Sequence, residues 1–365
     1  MLSDATPFIR KVSEGQNLTA TETEKVLDIV IKGDTEGWFV WSLFLALHTK
    51  GETGDELLGF CRNYVKRLPK LNPKIDIDNI TDTSGTGGDR LKTFNISTTA
   101  SVVLAGAGIT VAKQAFFAVT GLSGSAEIFG AFGVNIMKIR VRQIEEALET
   151  IGVCPYLKEV IGKTAGLENL MVTKRMSDKG LKLVSPLHLV ANIATPIKMK
   201  RRVYGCTWEK YLPVLAELLQ KLEYTKGMVV HGLDGIDEVS NIGKTKIVEF
   251  TDKKIKTFTI SPADLGIRKA KFDDIKAVSK ERNIIDFLRV IYGKDKSPRR
   301  DIVLANTSAS LYVMDKVENM AEGVIMAGKI IDEGLAFKKL EQLVKTLGDE
   351  EQLEIWKKKA GLTSN

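Results

Sequence analysis

The sequence predicts a small all-α domain followed by a larger α/β domain with a mostly parallel central sheet. Three observations support this prediction: the length of 365 residues, helical periodicity as far as about residue 70, and short β-rich runs that alternate with helical periods beyond it. A single core usually stops growing near ~250–300 residues, so a chain of this length is expected to divide. We place the boundary after residue 72, which gives domains 1–72 and 73–365, and we expect helices from about 165–200 to join the first domain.

The first domain is predicted to contain three amphipathic helices. Thr21 and Glu24 have the spacing of a capping box and precede an apolar face that ends near Gly33. Two further helical periods run through 38–48 and 57–68. Because proline cannot continue a helix and biases the residue before it toward extended backbone, the segment around Pro73 is predicted to be the linker.

Five β-rich runs follow the linker. We predict a strand for each of them, at 75–81, 109–113, 228–232, 246–250 and 255–260. Apolar residues at helical spacing lie between these runs, on one face of 144–151 and on one face of 212–222. Alternation of this kind is typical of an α/β domain with parallel strands. Two long helical patterns, interrupted at Gly334, are predicted in 311–347.

Composition and charge exclude several classes of protein. With 44% hydrophobic and 27% charged residues, the chain is neither fibrous nor disordered. Its uncharged apolar stretches fall well short of the ~20 residues of a transmembrane helix, and its first residues lack the apolar core of a secretory signal. We therefore expect a cytoplasmic protein without membrane contact. The net charge of +7 favours anionic partners, and phosphates on a small substrate or on nucleic acid both fit.

Few residues are available for soft metal ligation or for a catalytic triad. The three cysteines lie far apart and form no pair with metal-ligand or redox spacing, so we predict reduced, mostly buried thiols. Three histidines provide no basis for a His-rich zinc site or for an obvious Ser-His-Asp triad. A divalent ion, if the protein uses one, must be held by oxygen.

The segment richest in chemical information is 82–89, Asp-Thr-Ser-Gly-Thr-Gly-Gly-Asp, which directly follows a predicted strand. Glycines at such a place let the backbone turn its N–H groups toward a ligand, and the helix that follows 93–98 offers further N–H groups to a phosphate. The glycine spacing differs from that of the dinucleotide fingerprint, and no Gly-Lys-Ser/Thr closes a P-loop. The segment therefore predicts a phosphate-binding loop of another kind.

Residues 85–89 followed by 93–98 closely resemble the signature of the anthranilate phosphoribosyltransferase family. Five more blocks continue the resemblance in family order, at 111–113, 123–127, 229–238, 261–266 and 300–306. The related pyrimidine nucleoside phosphorylases share the same fold. The resemblance implies a small α domain, a larger α/β domain, a cleft between them, and a homodimer joined through the α domain.

The resemblance also implies a site for the donor phosphoribosyl pyrophosphate (PRPP) and for Mg²⁺. The donor would be held by Gly85, Gly88, Asp89, Thr93, Asn95, Ser97, Thr98, Lys113 and Ser125. The magnesium ligands would be Ser97, Asp237 and Glu238. Adjacent carboxylates at a strand-to-helix turn suit a hard ion that prefers oxygen and retains several waters.

The reaction implied by the resemblance is displacement of pyrophosphate from ribose C1 by an amine, through an oxocarbenium-like state. Positioning, together with neutralisation of the leaving group by magnesium, would supply most of the acceleration. No strongly basic side chain is required, which agrees with the small number of histidines.

The sequence departs from the family on the acceptor side. After Lys113 the family usually continues His-Gly-Asn-Arg, whereas this chain has Gln114, Ala, Phe116 and Phe117. His188 stands where the family has the arginine that binds anthranilate, so a carboxylate would lose a permanently charged, bidentate partner. We expect a retained donor site with another aromatic or nitrogenous acceptor, which the two phenylalanines would stack against unless they are core filler. Transfer to anthranilate itself stays open if other groups replace the missing arginine.

Two alternatives to this function remain. Basic residues concentrate in the divergent region, where they form either an ordinary solvated face or a track for nucleic-acid phosphates on a dimer without transferase activity. The residues concerned are Lys174, Arg175, Lys179, Lys182, Lys198, Lys200, Arg201 and Arg202. The other alternative is a nucleoside phosphorylase that uses the same cleft with inorganic phosphate.

Overall fold

The structure is a computed structural model that describes residues 1–88, 91–117, 122–158 and 185–362. The described residues form two compact units. The helical unit contains Met1–Lys70, the described part of Gly162–Pro196, and Glu217–Leu222. The α/β unit contains the described residues of Leu71–Ile161, Ile197–Ala216 and Glu223–Asn365. Within these ranges, no helix combines the length and the apolar character that crossing a membrane requires.

Helices and strands are numbered here in chain order over the described residues. The helices are α1 (Thr6–Ser13), α2 (Ala20–Gly33), α3 (Trp38–Lys50), α4 (Gly54–Val65), α5 (Ile96–Gly106), α6 (Ser125–Gly130), α7 (Val141–Thr150), α8 (Pro186–Val190), α9 (Leu212–Lys221), α10 (Phe272–Ile275), α11 (Lys280–Ile291), α12 (Pro298–Val313), α13 (Met320–Asp332), α14 (Leu335–Leu347) and α15 (Glu350–Lys359). The strands are β1 (Ile80–Thr81), β2 (Thr110–Gln114), β3 (Val153–Tyr156), β4 (Arg201–Gly205), β5 (Lys226–Gly232), β6 (Thr245–Thr251) and β7 (Ile255–Ile260).

Helix α2 starts at a different capping box from the one predicted. Thr19, and not Thr21, caps the helix: its hydroxyl accepts the N–H of Glu22 at 3.2 Å, and the Glu22 carboxylate accepts the N–H of Thr19 at 2.8 Å. Both pairs have the same three-residue spacing, so spacing alone could not separate them. The Lys11 ammonium lies 2.8 Å from the Glu22 carboxylate and helps to hold that side chain at the helix start.

Close packing of α2 against α4 depends on a glycine. A Cβ atom at Gly59 would lie 2.5 Å from the carbonyl oxygen of Ala20 and 2.5 Å from Cβ of Thr23. On the same helix, the buried carboxylate of Glu56 accepts the N–H groups of Leu18 and Thr53, both at 2.9 Å. The buried acid is therefore satisfied by backbone donors that fix the turns on either side of the helix pair.

The α/β unit contains two sheets. The first has the order β1-β2-β3 with parallel pairings, and the second has the order β4-β5-β6-β7, in which β4 and β5 are parallel and the other two pairings are antiparallel. Helix α12 packs on the second sheet, where Ala305 and Ala309 contact a buried layer formed by Met228, Val230 and Ile247. In the described residues, parallel pairings outnumber antiparallel ones, as the alternating sequence pattern predicts.

Three strand predictions need correction. The strand expected at 75–81 is reduced to Ile80–Thr81, because the Asp76 carboxylate accepts the N–H of Asp78 at 3.0 Å and caps a 3₁₀ turn. Strands β3 and β4 have no counterpart among the predicted strands. Strand β3 is short and contains a proline. Strand β4 begins with two arginines, which lie in a strand only because of the residues they contact in the fold.

Strand β1 of the first sheet contacts strand β4 of the second. The hydroxyl of Thr81, the last residue of β1, donates to the carbonyl of Arg201 at the start of β4, at 3.1 Å. Parallel strands place their carboxyl ends at one edge, which is where α/β folds bind ligands. The segments that follow these two strands are therefore candidates for one site.

Candidate active site

The glycine-rich loop after β1 is held by the segment that follows β4. The N–H of Thr86 donates to the carbonyl of Gly205 at 2.8 Å. Thr207 makes two further hydrogen bonds to the loop: its N–H donates to the Thr86 hydroxyl at 3.0 Å, and its hydroxyl donates to the Gly87 carbonyl at 2.7 Å. Strand β4 therefore fixes the backbone of the predicted phosphate loop.

Glycine is required where this loop approaches its neighbours. A Cβ atom at Gly205 would lie 1.7 Å from the carbonyl oxygen of Asp237, and one at Gly85 would lie 2.9 Å from the carboxylate of the same residue. Gly87 and Gly88 have φ values of 64° and 80°, in the left-handed region that glycine adopts without strain. The glycine spacing thus serves close approach and turning of the loop.

Asp237, one of the two predicted metal carboxylates, lies against this loop. The N–H of Gly87 donates to the Asp237 carboxylate at 2.8 Å. The turn that carries this residue is anchored to α12, because the Asn306 amide accepts the N–H of Val239 at 2.8 Å and donates to its carbonyl at 2.9 Å. Burial raises the pKa of Asp237, while the Gly87 N–H and the charge of Lys113 act in the opposite direction.

Lys113, on β2, joins the loop to the hydroxyl cluster. Its side chain is 3% exposed, and its ammonium donates to the hydroxyls of Ser84 at 3.3 Å and Ser97 at 3.2 Å. Burial lowers the pKa of Lys113, opposed by the negative charges of Asp82, Glu238 and Asp237. The structure therefore brings the predicted donor residues 85, 97 and 113 together with both predicted metal carboxylates.

The buried carboxylate of Asp82 holds the first residues of the loop. Asp82 is fully buried and accepts the N–H and the hydroxyl of Ser84, at 3.1 and 2.8 Å. The amide of Gln114 also donates to it, at 3.2 Å, and so does Arg202, at 3.0 Å. Asp82, Ser84 and Arg202 are absent from the donor residues that the resemblance implies. Asp82 and Ser84 could have been identified from the sequence, since both lie inside the glycine-rich motif 82–89.

Of the other predicted donor residues, Asn95 lies in a second polar network, and the rest have separate surroundings. The Asn95 amide donates to the Ser123 carbonyl at 3.1 Å and accepts the Ser123 hydroxyl at 2.9 Å, and the buried Asn283 donates to that hydroxyl at 2.8 Å. The Ser125 hydroxyl accepts the N–H of Phe116 at 3.1 Å. Thr98 is buried in α5, Thr93 forms a backbone bridge with Lys276, and Asp89 lies outside the described residues.

The predicted acceptor residues have different surroundings. Gln114 is buried on Asp82, Phe116 is half-buried and Phe117 is 48% exposed, all in the α/β unit. In the helical unit, Nδ1 of His188 accepts the N–H of Ser185 at 3.1 Å. Burial and the neighbouring His48 lower the pKa of His188. A histidine ring also lacks the fork of parallel N–H donors that an arginine guanidinium offers to a carboxylate.

The basic run proposed as a nucleic-acid track is largely engaged in internal contacts where it is described. Arg202 is fully buried, Arg201 lies 2.5 Å from the Asp315 carboxylate, and Lys200 donates to the carbonyl of Glu223 at 3.0 Å. Lys174, Arg175, Lys179 and Lys182 lie outside the described residues. The two arginines therefore serve packing and pairing in the α/β unit.

The predicted metal ligands have oxygen atoms to offer, which suits a magnesium ion better than a transition metal. In the described ranges, no group of three or more His, Cys, Asp or Glu side chains is arranged to hold a metal. The predicted ligands Asp237, Glu238 and Ser97 offer only oxygen donors, and so few protein ligands suit an ion that keeps several of its waters.

Comparisons with known proteins identify the family of this chain. Residues 77–337 match the α/β domain of a glycosyl transferase family, and residues 6–67 match the helical bundle domain of the same family. Anthranilate phosphoribosyltransferase of Petrotoga mobilis is 33% identical over 337 residues, 92% of this chain and 95% of the relative. The enzyme of Haloarcula marismortui is 33% identical over 345 residues, 92% of this chain and 98% of the relative.

Solved structures give the same result for the fold. Anthranilate phosphoribosyltransferase from Thermus thermophilus has a TM-score of 0.84 at 26% identity, over 93% of this chain and 98% of that one. The Saccharomyces cerevisiae enzyme in complex with PRPP and Mg has a TM-score of 0.83 at 22% identity, over 94% and 98%. The predicted fold class is confirmed, and this chain belongs to the glycosyl transferase family that contains the anthranilate phosphoribosyltransferases, as a phosphoribosyltransferase.

Proposed function

We propose that this protein transfers the phosphoribosyl group of PRPP, with Mg²⁺, to an aromatic or nitrogenous acceptor other than anthranilate. The observation that carries the proposal is the contact between the glycine-rich loop and the paired carboxylates, with the Gly87 N–H 2.8 Å from Asp237. A polyphosphate needs a cation and a metal site within one small space. Lys113 and the predicted metal carboxylates provide these two groups beside the loop, within the α/β unit.

Each group in this site has a separate task in the proposed reaction. The Lys113 ammonium binds phosphate oxygens beside the loop, and the hydroxyl of Ser97 with Asp237 and Glu238 would hold Mg²⁺. Bound there, Mg²⁺ supplies positive charge to the departing pyrophosphate. The bond from ribose C1 to the pyrophosphate oxygen breaks while the acceptor nitrogen bonds to C1 and releases its proton. The burial of Lys113 keeps its charge out of bulk water, which strengthens its attraction for phosphate.

The acceptor is proposed to differ from anthranilate because the groups suited to a carboxylate are replaced. His188 stands at the position of the family's arginine and offers no fork of two parallel N–H donors, whereas arginine binds a carboxylate through two parallel hydrogen bonds. Within the α/β unit, the exposed Phe117 and the half-buried Phe116 offer aromatic surface. An uncharged aromatic or heterocyclic amine fits these two phenylalanines better than an anionic one.

The acceptor proposal is tested by pyrophosphate release. We expect PRPP with Mg²⁺ to release pyrophosphate with at least one member of a panel of uncharged aromatic amines and nucleobases, and not with anthranilate. Phe117→Ala should raise the KM of that acceptor several-fold, since an aromatic contact contributes about 0.5–1.5 kcal/mol, and leave the KM of PRPP unchanged. Release with anthranilate alone would refute the changed acceptor while leaving the donor site intact.

The donor site is tested by removing the buried ammonium. Lys113→Met keeps the length of the side chain but removes its charge, and we expect the KM of PRPP to rise on the order of 10- to 100-fold, the loss of one or more charge-assisted hydrogen bonds. Steady-state kinetics over a range of PRPP concentrations measures this change. Lys316→Met, at an exposed lysine of the same unit, is the matched control. Equal KM values for the two variants would contradict the assigned role of Lys113.

A further inference from the structure

The base of the donor loop contains two buried cations beside one buried carboxylate. Arg202 and Asp82 are both fully buried, and Lys113 is 3% exposed. Ser84 lies between the two cations: its carbonyl accepts from Arg202 at 3.0 Å and its hydroxyl accepts from Lys113 at 3.3 Å. The position of Ser84 is therefore set from both sides.

Arg202 reaches both ends of the tripeptide 82–84 with one nitrogen. Its Nη2 donates to the Asp82 carboxylate and to the Ser84 carbonyl, each at 3.0 Å. The guanidinium carbon also lies 4.9 Å from the centre of the Tyr204 ring, which holds the side chain in place. The first turn of the donor loop is thus tied to β4 through a side chain that lies 120 residues away in sequence.

Arg202 and Asp82 also determine whether the Lys113 ammonium is available to a ligand. The Ser84 hydroxyl donates to Asp82 at 2.8 Å and accepts from Lys113 at 3.3 Å, so a single hydroxyl separates the ammonium from the carboxylate that Arg202 neutralises. An Asp82 without its arginine would present an uncompensated buried charge close to the ammonium, and such a charge binds the nearest cation. Lys113 would then be engaged by the protein and less available to an anionic ligand.

We propose that Arg202 is a positioning residue of the donor site: by neutralising Asp82 and holding the Ser84 carbonyl, it leaves Lys113 directed at Ser97 and available to the phosphates of the donor. This inference rests on the proposed function. Arg202 itself needs no contact with PRPP. Its effect on donor affinity passes through the loop and through the charge that Asp82 would otherwise direct at the lysine.

The neighbouring arginine provides a matched control. Arg201 precedes Arg202 on β4 and pairs with the Asp315 carboxylate at 2.5 Å, away from the loop. Arg202→Gln and Arg201→Gln therefore remove the same charge from adjacent positions of one strand. We expect calorimetry with PRPP and Mg²⁺ to give a Kd on the order of 10- to 100-fold weaker for Arg202→Gln, because Lys113, drawn to Asp82, loses its charge-assisted contacts with the donor. The Kd for Arg201→Gln should be unchanged.

A second substitution separates positioning from simple loss of structure. If Asp82 without its arginine captures Lys113, adding Asp82→Asn to Arg202→Gln should bring the Kd for PRPP back toward the wild-type value, although a second buried contact has been removed. A merely structural role predicts that the two losses add. A double variant that binds no better than Arg202→Gln therefore overturns the inference.

The remaining outcomes also decide. If Arg202→Gln does not fold, Arg202→Lys takes its place: it keeps the charge beside Asp82, so a Kd close to that of the wild type supports the inference, whereas a Kd as weak as that of Lys113→Met overturns it. A wild-type protein that binds no PRPP refutes the proposed function and this inference together. Wild-type binding with equal Kd values for Arg202→Gln and Arg201→Gln refutes the inference alone.

Discussion

Replacing Gly205 by alanine is expected to lower the free energy of unfolding by more than about 3 kcal/mol and to abolish donor binding at the same time. The added Cβ atom would lie 1.7 Å from the backbone carbonyl oxygen of Asp237, and a residue of the loop, Thr86, donates to the Gly205 carbonyl at 2.8 Å. Neither contact involves the end of a flexible side chain. Strand β4 or the turn at Asp237 must therefore move, and either movement separates the loop from the carboxylates.

Urea unfolding and calorimetry with PRPP measure the two effects on one protein sample. Gly130→Ala is the control, because a Cβ atom at Gly130 meets no atom within 4 Å and this glycine ends helix α6 without a positive φ. We expect that variant to unfold and to bind PRPP like the wild type. A Gly205→Ala protein with wild-type stability would show that the close approach at Asp237 is not required.

Replacing both carboxylates, Asp237→Asn with Glu238→Gln, is expected to lower kcat/KM by about a thousandfold, since ~4 kcal/mol of charge stabilisation corresponds to that factor. Amide side chains are poorer ligands for Mg²⁺ than carboxylates, while the amide oxygen introduced at position 237 could still accept the N–H of Gly87. Loop position should therefore be kept while the metal is lost. The Mg²⁺ concentration that gives half-maximal activity should rise well above that of the wild type.

The matched control for this pair is Glu350→Gln with Glu351→Gln, at two adjacent exposed acids at the start of α15 in the same unit. It makes the same change in net charge without touching the site. Initial rates over a range of Mg²⁺ concentrations, and calorimetry with PRPP in the presence and absence of the ion, compare the two variants. Donor binding that is unchanged in Asp237→Asn with Glu238→Gln would remove these residues from the metal site.

Local sequence patterns predict much of the donor site. The glycines at 85 and 87–88 mark a loop that must turn sharply and approach other atoms, and the positive φ values and short Cβ distances give the physical reason. The acidic pair at 237–238 indicates oxygen ligands, and Lys113 is included through its block of resemblance. Prediction is weaker for strands, since the strand expected at 75–81 is too long and β3 and β4 are missed.

The misassignment of Arg202 has a specific cause. In the sequence it belongs to a run of basic residues, and such a run is ordinarily a solvated face. A buried arginine is defined by the carboxylate that neutralises it, and Asp82 is 120 residues away. The neighbouring Arg201 faces Asp315 instead, so two adjacent arginines with the same chemistry have different environments. Alternation of side chains along a strand explains the difference, but only once the strand is known.

By itself, the sequence determined the two-part architecture, the glycine-rich loop and the oxygen character of the proposed metal ligands, because each of these depends on residues that are close in the chain or on composition. Tertiary structure alone decided which residues face that loop. Gly87 bonds to Asp237 across 150 residues, and Arg202 bonds to Asp82 across 120. Such pairs follow from the order and register of β1, β4 and β5, and register is set by the packing of whole strands, which no local pattern encodes.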